Sequence, residues 1–324
     1  MGPLLEVTNL KVHYFIKNGI LKAVNGVSFQ IDRNESMCLV GESGCGKSTV
    51  AFSVLGMLDE NAKIVEGQIL FEKEDLRRLS RRQFAKSVWG KKVFVIFQDP
   101  MTSLNPVMRV KEQIEEALLK KEAGSLSRKQ LMEREIQLLH EVEINDPRTV
   151  LEQFPHQLSG GMKQRVMIAL GICLDPDLLI LDEPTTALDS TVQFKIVELV
   201  RRLKMDHGMS QLVVTHNFGV AAKLCDKIAV MYAGKIVEIG KYVTLLREPL
   251  HPYTKGLFKC IIDTEQRADS LETISGSVPS LFMLPQGCYF VNRCKSASAI
   301  CMEREPKLLD IGNEHLVACH NLAG

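Results

Sequence analysis

The string GESGCGKST, residues 41–49, constrains this chain more than any other part of it. It fits the pattern G-x-x-x-x-G-K-[ST]. The apolar run SMCLV precedes it, and KSTVAFSVLGML, whose spacing predicts a helix over 47–58, follows it. Strand, glycine-rich turn and helix in that order make a cradle for phosphate groups. Gly41, Gly44 and Gly46 let the backbone turn tightly, so that its N–H groups, with those of Ser43 and Cys45, point at phosphate oxygens. The positive end of the following helix adds to this field. Lys47 then reaches the β- and γ-phosphates, Ser48 ligates Mg²⁺ through its hydroxyl, and Thr49 falls beside the α-phosphate.

Two further strings complete a site that can split a nucleoside triphosphate. LLILDEP, 178–184, reads as a buried strand that ends at Asp182, a Mg²⁺ ligand held directly or through water. Glu183 follows at once and is placed to polarise the attacking water as general base. LSGGMKQR, 158–165, opens a helix at Ser159. Gly160 and Gly161 leave backbone N–H groups aimed outward with the helix dipole behind them, a second phosphate-binding end. Two such ends at separate edges of one subunit are served by a head-to-tail pair, each copy closing the other's site.

The chain has 324 residues, enough for one large core or two modest ones. The elements alternate. Strands are expected over 4–40, at VFVIF 93–97, at 178–182 and at QLVVT 211–215, with helices over 159–174 and 189–207. IAVMY and KIVEIG form a hairpin around Ala233-Gly234. This is α/β with a mainly parallel sheet. Residues 110–144, rich in Glu, Lys, Leu and Gln at helical spacing, read as a helical insert with solvated charged faces. Lys plus Arg is 40 and Asp plus Glu is 39, a balance that argues against non-specific nucleic-acid binding. The N-terminus lacks the pattern of a signal peptide, and no window of about 18 residues is free of charge, so no spanning helix is expected.

The phosphate loop, Gln98 in FQDP, LSGGM, Asp182-Glu183, the Ala187-Leu188-Asp189 turn and His216 after LVVT stand in that order along the chain. Together they resemble the ATP-binding subunit of ABC transporters over roughly residues 4–262. The resemblance implies an ABC-type P-loop ATPase core with an N-terminal antiparallel β subdomain and a helical insert over about 98–175. It implies that Tyr14 stacks on adenine, that Gln98 contacts Mg²⁺ and water and links them to the membrane subunits, that Asp189 spans the dimer interface, and that His216 senses the γ-phosphate. By the same resemblance the catalytic set is Glu183, His216, Gln98 and Lys47. Met162 stands where the broad family has glutamine. FQDPMTSLNP at 97–106, HPYTKGL at 251–257 and that methionine are similar to the dipeptide and oligopeptide importer branch. HPYTKGL by itself shows no catalytic chemistry. The partners implied are a second ATPase subunit, two transmembrane permease subunits and an extracytoplasmic peptide-binding protein, with this chain peripheral on the cytoplasmic face. A nickel or other small-solute importer, a soluble ABC ATPase without transport, and a metal-binding regulatory protein are the competing readings.

A polar segment over 263–279 reads as a linker to a C-terminal extension, 263–324. Four of the nine cysteines, Cys288, Cys294, Cys301 and Cys319, lie in the last 37 residues, where an even spread would put about one. Cys38, Cys45, Cys173, Cys225 and Cys260 read instead as small buried hydrophobes. The tail spacing C-x5-C-x6-C-x17-C suits either zinc or an iron–sulfur cluster, although it lacks the short paired knuckles common at zinc sites. The resemblance to the importer branch implies a [4Fe–4S] cluster. Such a centre either staples a tail too short to build its own core or senses redox state or iron.

Overall fold

The computed structural model describes residues 2–99, 103–121, 126–186, 188–265 and 274–322, with backbone alone from residue 260 to 265. Residues 100–102 of the FQDP segment, 122–125 of the insert, Ala187, 266–273 of the expected linker and the side chain of Cys260 lie outside the described residues. The chain forms two compact units. One comprises residues 1–32, 36–78 and 214–324, and the other residues 33–35 and 79–213.

The first unit begins with an antiparallel sheet. Strands β1 (Leu5–Ile16) and β2 (Gly19–Ile31) form a long hairpin, and β4 (Ala62–Phe71) pairs with the other side of β1. Leu5, Val7, Leu10 and Val12 turn inward from β1, with irregularities in the register around Asn9 that let the strand curve. The five-residue β3 (Ser36–Val40) is buried along its whole length, as its unbroken apolar run requires. It runs parallel to β9 (Lys227–Tyr232), which turns at Ala233-Gly234 into the antiparallel β10 (Lys235–Lys241). Each fully buried Leu, Ile or Val in such strands contributes about 1.5–3 kcal/mol. The tail then returns to this sheet. Two residues of β12 (Leu316–Val317) pair antiparallel with Ile239 and Glu238 of β10.

In the second unit β6 (Val93–Ile96) runs parallel to β7 (Leu178–Asp182), with Val93 beside Leu178 and Ile96 beside Leu181. The helix Gly160–Cys173 is buried nearly all round and packs against the helices Val110–Lys121, Arg128–Glu141 and Ser190–His207. Val110, Ile114 and Leu118 form an apolar stripe at a spacing of four. Ser127 opens the helix Arg128–Glu141 with a reciprocal cap, its hydroxyl accepting from the Gln130 amide and the Gln130 side chain accepting from the Ser127 amide. Against the expected solvated face, Glu135 of this helix is fully buried. No helix among the described residues is long and apolar enough to cross a membrane.

Candidate functional site

The loop at residues 41–46 is shaped by close backbone approaches. Gly41 has φ +154°, and a Cβ there would sit 2.2 Å from the carbonyl oxygen of Met231 on β9. Gly46 has φ +100°, and a Cβ there would sit 2.4 Å from the carbonyl oxygen of Ala23. Only glycine fits either place. The turn between β9 and β10 supports the loop from below, where Gly234 donates its amide to the carbonyl of Cys45 at 2.9 Å. Ser43 and Gly44 stand exposed at the tip, while Cys45 is buried. Burial pushes the Cys45 thiol up and keeps it protonated.

Lys47 opens the helix Lys47–Leu55 and is only 5% exposed. Its ammonium donates to the carbonyls of Gly41 at 2.9 Å and Glu42 at 3.1 Å, so it spans the inside of the loop. Gly46 caps that helix without a side-chain bond, which leaves first-turn N–H groups to serve an anion. Ser48 and Thr49 are half-buried in this turn. The Tyr14 hydroxyl lies 3.4 Å from the Thr49 hydroxyl, so the aromatic ring of β1 stands at the edge of the phosphate loop. His216 belongs to this same unit and is exposed at the end of β8 (Ser210–Thr215).

The second unit holds the remaining candidates. Asp182 closes β7 and is buried. Glu183 has φ +48°, a strained conformation for a residue with a side chain. Its carboxylate accepts from the Gln98 side-chain amide at 3.2 Å and from the Thr186 hydroxyl at 3.0 Å. Ser159 caps the helix Gly160–Cys173 by accepting from the Met162 amide at 3.3 Å. Asp189 caps the helix Ser190–His207 by accepting from the amides of Thr191 at 3.1 Å and Val192 at 3.0 Å. These two helix starts lie side by side. A Cβ on Gly160 would touch Leu188 at 3.5 Å, and one on Gly161 would meet a Val192 methyl at 2.8 Å. Sequence reasoning did not mark Thr186, whose only signal is its place three residues after Glu183.

A family model for the ABC transporter matches residues 24–186. The chain is 42% identical, over 98% of its own length and 95% of the relative's, to the dipeptide transport ATP-binding protein DppD of Bacillus subtilis. This chain belongs to the ABC transporter family. A second family model, for the C-terminal region of oligopeptide/dipeptide transporters, matches residues 237–301 of the ABC subunit. The oligopeptide transport ATP-binding protein AppD of Bacillus subtilis is also 42% identical, over 98% of this chain and 97% of its own. Among solved structures, the dimeric ATP-binding cassette MJ0796 bound to ADP and Pi superposes with a TM-score of 0.66 at 28% identity, covering 74% of this chain and 98% of that one. As a family member the chain is an ABC-type ATPase, with the mixed α/β cassette fold expected from its motifs.

The C-terminal part of this ABC subunit folds around the string HPYTKGL. His251 is buried, and burial pulls its imidazole down to about 3, so the ring is neutral. Its Nδ1 accepts from the Tyr253 amide at 3.1 Å and so caps the helix Pro252–Glu265. The fully buried Glu238 of β10 accepts from the amides of Leu250 at 2.8 Å and His251 at 3.0 Å. His315 of the tail joins the same carboxylate at 2.8 Å. Tyr253 is fully buried, and its hydroxyl accepts from the amide of Glu42 in the phosphate loop at 3.1 Å. The motif without chemistry of its own is therefore a bracket under the nucleotide loop. Glu42, Tyr253 and Glu238 were not marked from sequence; the string HPYTKGL around Tyr253 was the available signal.

The four tail cysteines come near one another. Cys288 donates its amide to the Cys301 carbonyl at 2.8 Å, and Ser298 places its hydroxyl 3.3 Å from the Cys301 sulfur. The Asn321 amide donates to the Cys319 sulfur at 3.4 Å, and the Ser298 hydroxyl donates to the Asn321 side chain at 3.3 Å. Burial pushes the Cys288 thiol up to about 11, and the neighbouring Cys301, Cys294 and Cys319 push the same way. Cys294 and Cys319 are raised by burial and by the other tail cysteines. Backbone amides of Phe290, Ser296 and Asn321, each two residues beyond its cysteine, aim at Cys288, Cys294 and Cys319. Among the described residues no three His, Cys, Asp or Glu side chains are closed up into a metal-holding group. His315 and His320 are engaged elsewhere, with Glu238 and with the carbonyl of Arg304.

Proposed function

We propose that this ATPase drives the import of dipeptides or oligopeptides through two membrane-embedded permease subunits fed by an extracytoplasmic binding protein. The observation that carries this reading is the pairing, on one chain, of the ABC match over 24–186 with the oligopeptide/dipeptide C-terminal match over 237–301. Relatives at 42% identity over nearly the whole chain carry names of dipeptide and oligopeptide transport ATP-binding proteins. The chain sits on the cytoplasmic face of the membrane and works as one half of a pair with a second ATPase subunit. The helical insert, about 98–175, is the surface that meets the permeases.

In this reading the loop from Gly41 to Thr49 holds the triphosphate, with Lys47 released from the loop carbonyls to the β- and γ-phosphates and Tyr14 against the adenine. The hydroxyl of Ser48, the carboxylate of Asp182 and the amide oxygen of Gln98 would hold Mg²⁺. Oxygen donors are the kind this hard cation takes, and Gln98 already spends its nitrogen on Glu183. When bound, the ion neutralises charge on the transferring phosphoryl group. Glu183 takes a proton from the attacking water, His216 contacts the γ-phosphate, and Asp189 meets the partner subunit. Ser159, Gly160 and Gly161 close the partner's site with backbone donors.

In the same reading the tail cysteines hold a [4Fe–4S] cluster rather than zinc. Four soft thiolates suit either centre, and the spacing C-x5-C-x6-C-x17-C lacks the short paired knuckles common at zinc sites. Cys288, Cys294, Cys301 and Cys319 would be its ligands. The cluster's own chemistry is one-electron transfer, and its mechanical effect is to cross-link a short tail.

Reconstitution tests the function. The chain is expressed with its neighbouring permease and binding-protein genes in vesicles, and ATP-driven uptake of labelled dipeptide and of nickel is measured. Peptide uptake that stops without this chain supports the reading; nickel uptake alone overturns it. Iron, sulfide and zinc analysis, with a visible absorption spectrum, decides the metal.

A further inference from the structure

Arg293 lies in the tail, one residue before Cys294, yet its guanidinium is bound to the phosphate loop 251 residues away in sequence. Its two terminal nitrogens grip the Glu42 carboxylate as a fork, at 2.8 and 3.0 Å. The Arg293 side chain is only 5% exposed, while that of Glu42 is 27% exposed. The guanidinium is fixed from behind. It donates to the carbonyls of Ser275 and Ile274, both at 3.0 Å, and lies over the rings of Tyr232 and Phe290 at 5.7 and 5.9 Å. A planar fork pre-set by two carbonyl acceptors and two rings loses little freedom on gripping a carboxylate.

Glu42 is the residue that needs such a partner. It is the second residue of GESGCGKST, in a loop that must admit a polyanion. A carboxylate there repels phosphate unless it is neutralised and turned away. Arg293 supplies the neutralising charge and fixes the carboxylate in place. Glu42 is held at three points: its carbonyl by Lys47, its amide by the Tyr253 hydroxyl and its carboxylate by Arg293. The last two holds come from the C-terminal part of the chain.

We propose that Arg293 is a positioning residue for nucleotide binding: by neutralising and anchoring Glu42 it sets the phosphate loop for the triphosphate, and it makes loop geometry depend on the fold of the cysteine tail. This rests on residues 41–49 being the phosphate loop and is independent of what the cysteines hold.

The test is titration of the purified full chain with a fluorescent ATP analogue and Mg²⁺, then with the matching ADP analogue. The forms are the unaltered chain, Arg293→Gln, Arg293→Lys, Glu42→Gln and the double Glu42→Gln/Arg293→Gln. Circular dichroism melting accompanies each. Arg293→Gln should weaken ATP binding about tenfold, which is about 1.4 kcal/mol. ADP, with less charge, should lose less. The double variant should return to within about twofold of Glu42→Gln, because the unpaired carboxylate is gone. Arg293→Lys keeps the charge without the fork and should lose about threefold, which carries the comparison if Arg293→Gln does not fold. Unchanged binding in the folded Arg293 variants overturns the proposal, as does a double variant no better than Arg293→Gln. An unaltered chain that binds neither nucleotide would instead sink the phosphate-loop reading itself.

Discussion

Gln98 donates its side-chain amide to the carboxylate of Glu183 at 3.2 Å, and Glu183 is held with a left-handed backbone to receive it. The Thr186 hydroxyl binds the same oxygen at 3.0 Å. Two donors on one carboxylate oxygen fix the direction of the whole carboxylate. Glu183→Gln should therefore lose on the order of 10²–10³ in kcat while still binding ATP. Phosphate release and nucleotide titration check this, and size-exclusion chromatography with ATP should show a trapped dimer. Multi-turnover hydrolysis at the unaltered rate would remove Glu183 from the role of base.

Lys47 spans the carbonyls of Gly41 and Glu42. Lys47→Ala removes both the charge and this internal brace. ATP affinity should fall more than tenfold, the scale of one lost charge-assisted contact of about 1.5–3 kcal/mol. Isothermal titration measures it.

Tyr253→Phe keeps the buried ring but removes the acceptor for the Glu42 amide. An amide left without its partner costs about 1–3 kcal/mol. Melting should move down by several degrees, and the KM for ATP should rise more than kcat falls, because the loop is displaced while the Glu183 pair is untouched. Steady-state kinetics beside a melting curve separates the two effects.

Glu135 is fully buried in the helical insert with no bonded partner for either carboxylate oxygen. Burial raises its carboxyl to about 7, with Glu115 and Glu152 pushing the same way and Lys111 opposing. The folded state thus holds a proton that the unfolded chain releases near 4.5. Stability from this group is full below about 4.5 and is lost as pH rises toward 7. Glu135→Gln should remove that pH dependence and raise the melting temperature at pH 8, by an amount corresponding to roughly 1–3 kcal/mol. Melting of both forms from pH 5 to 8 tests it; parallel curves would contradict the buried-acid account.

The local shape of the motifs was legible because each is contiguous in sequence. A strand, a glycine turn and a helix contiguous in sequence leave one arrangement, and Ser159 and Asp189 each cap the helix that follows them. Glu135 was legible too, had its position been counted. It falls four residues after Leu131 and three before Leu138, on the apolar stripe of its helix, though the segment RKQLMEREIQLLHE reads as solvated from composition. The clamp on Glu42 was not legible. Nothing local marks Arg293 in NRC or Tyr253 in HPY as partners of a loop more than 200 residues upstream, since pairs so far apart are set by the packing of the whole unit. The tail's grouping of cysteines was visible as a count, while their approach depends on the turns at Phe290, Ser296 and Asn321.

The pairing of β12 with β10 has a further consequence. Residues 316 and 317 bond to Ile239 and Glu238, and Ala318 donates its amide to the Val237 carbonyl at 2.8 Å. The tail thus covers the outer margin of the sheet that carries the hairpin under the nucleotide loop. Shortening the gene at residue 262, to isolate a minimal cassette, would strip this cover and bare a row of unpaired N–H and C=O groups on a buried, apolar strand. Such a fragment should self-associate through that margin. For this protein cassette and tail then behave as one structural piece, and domain shuffling in evolution would have to move them together.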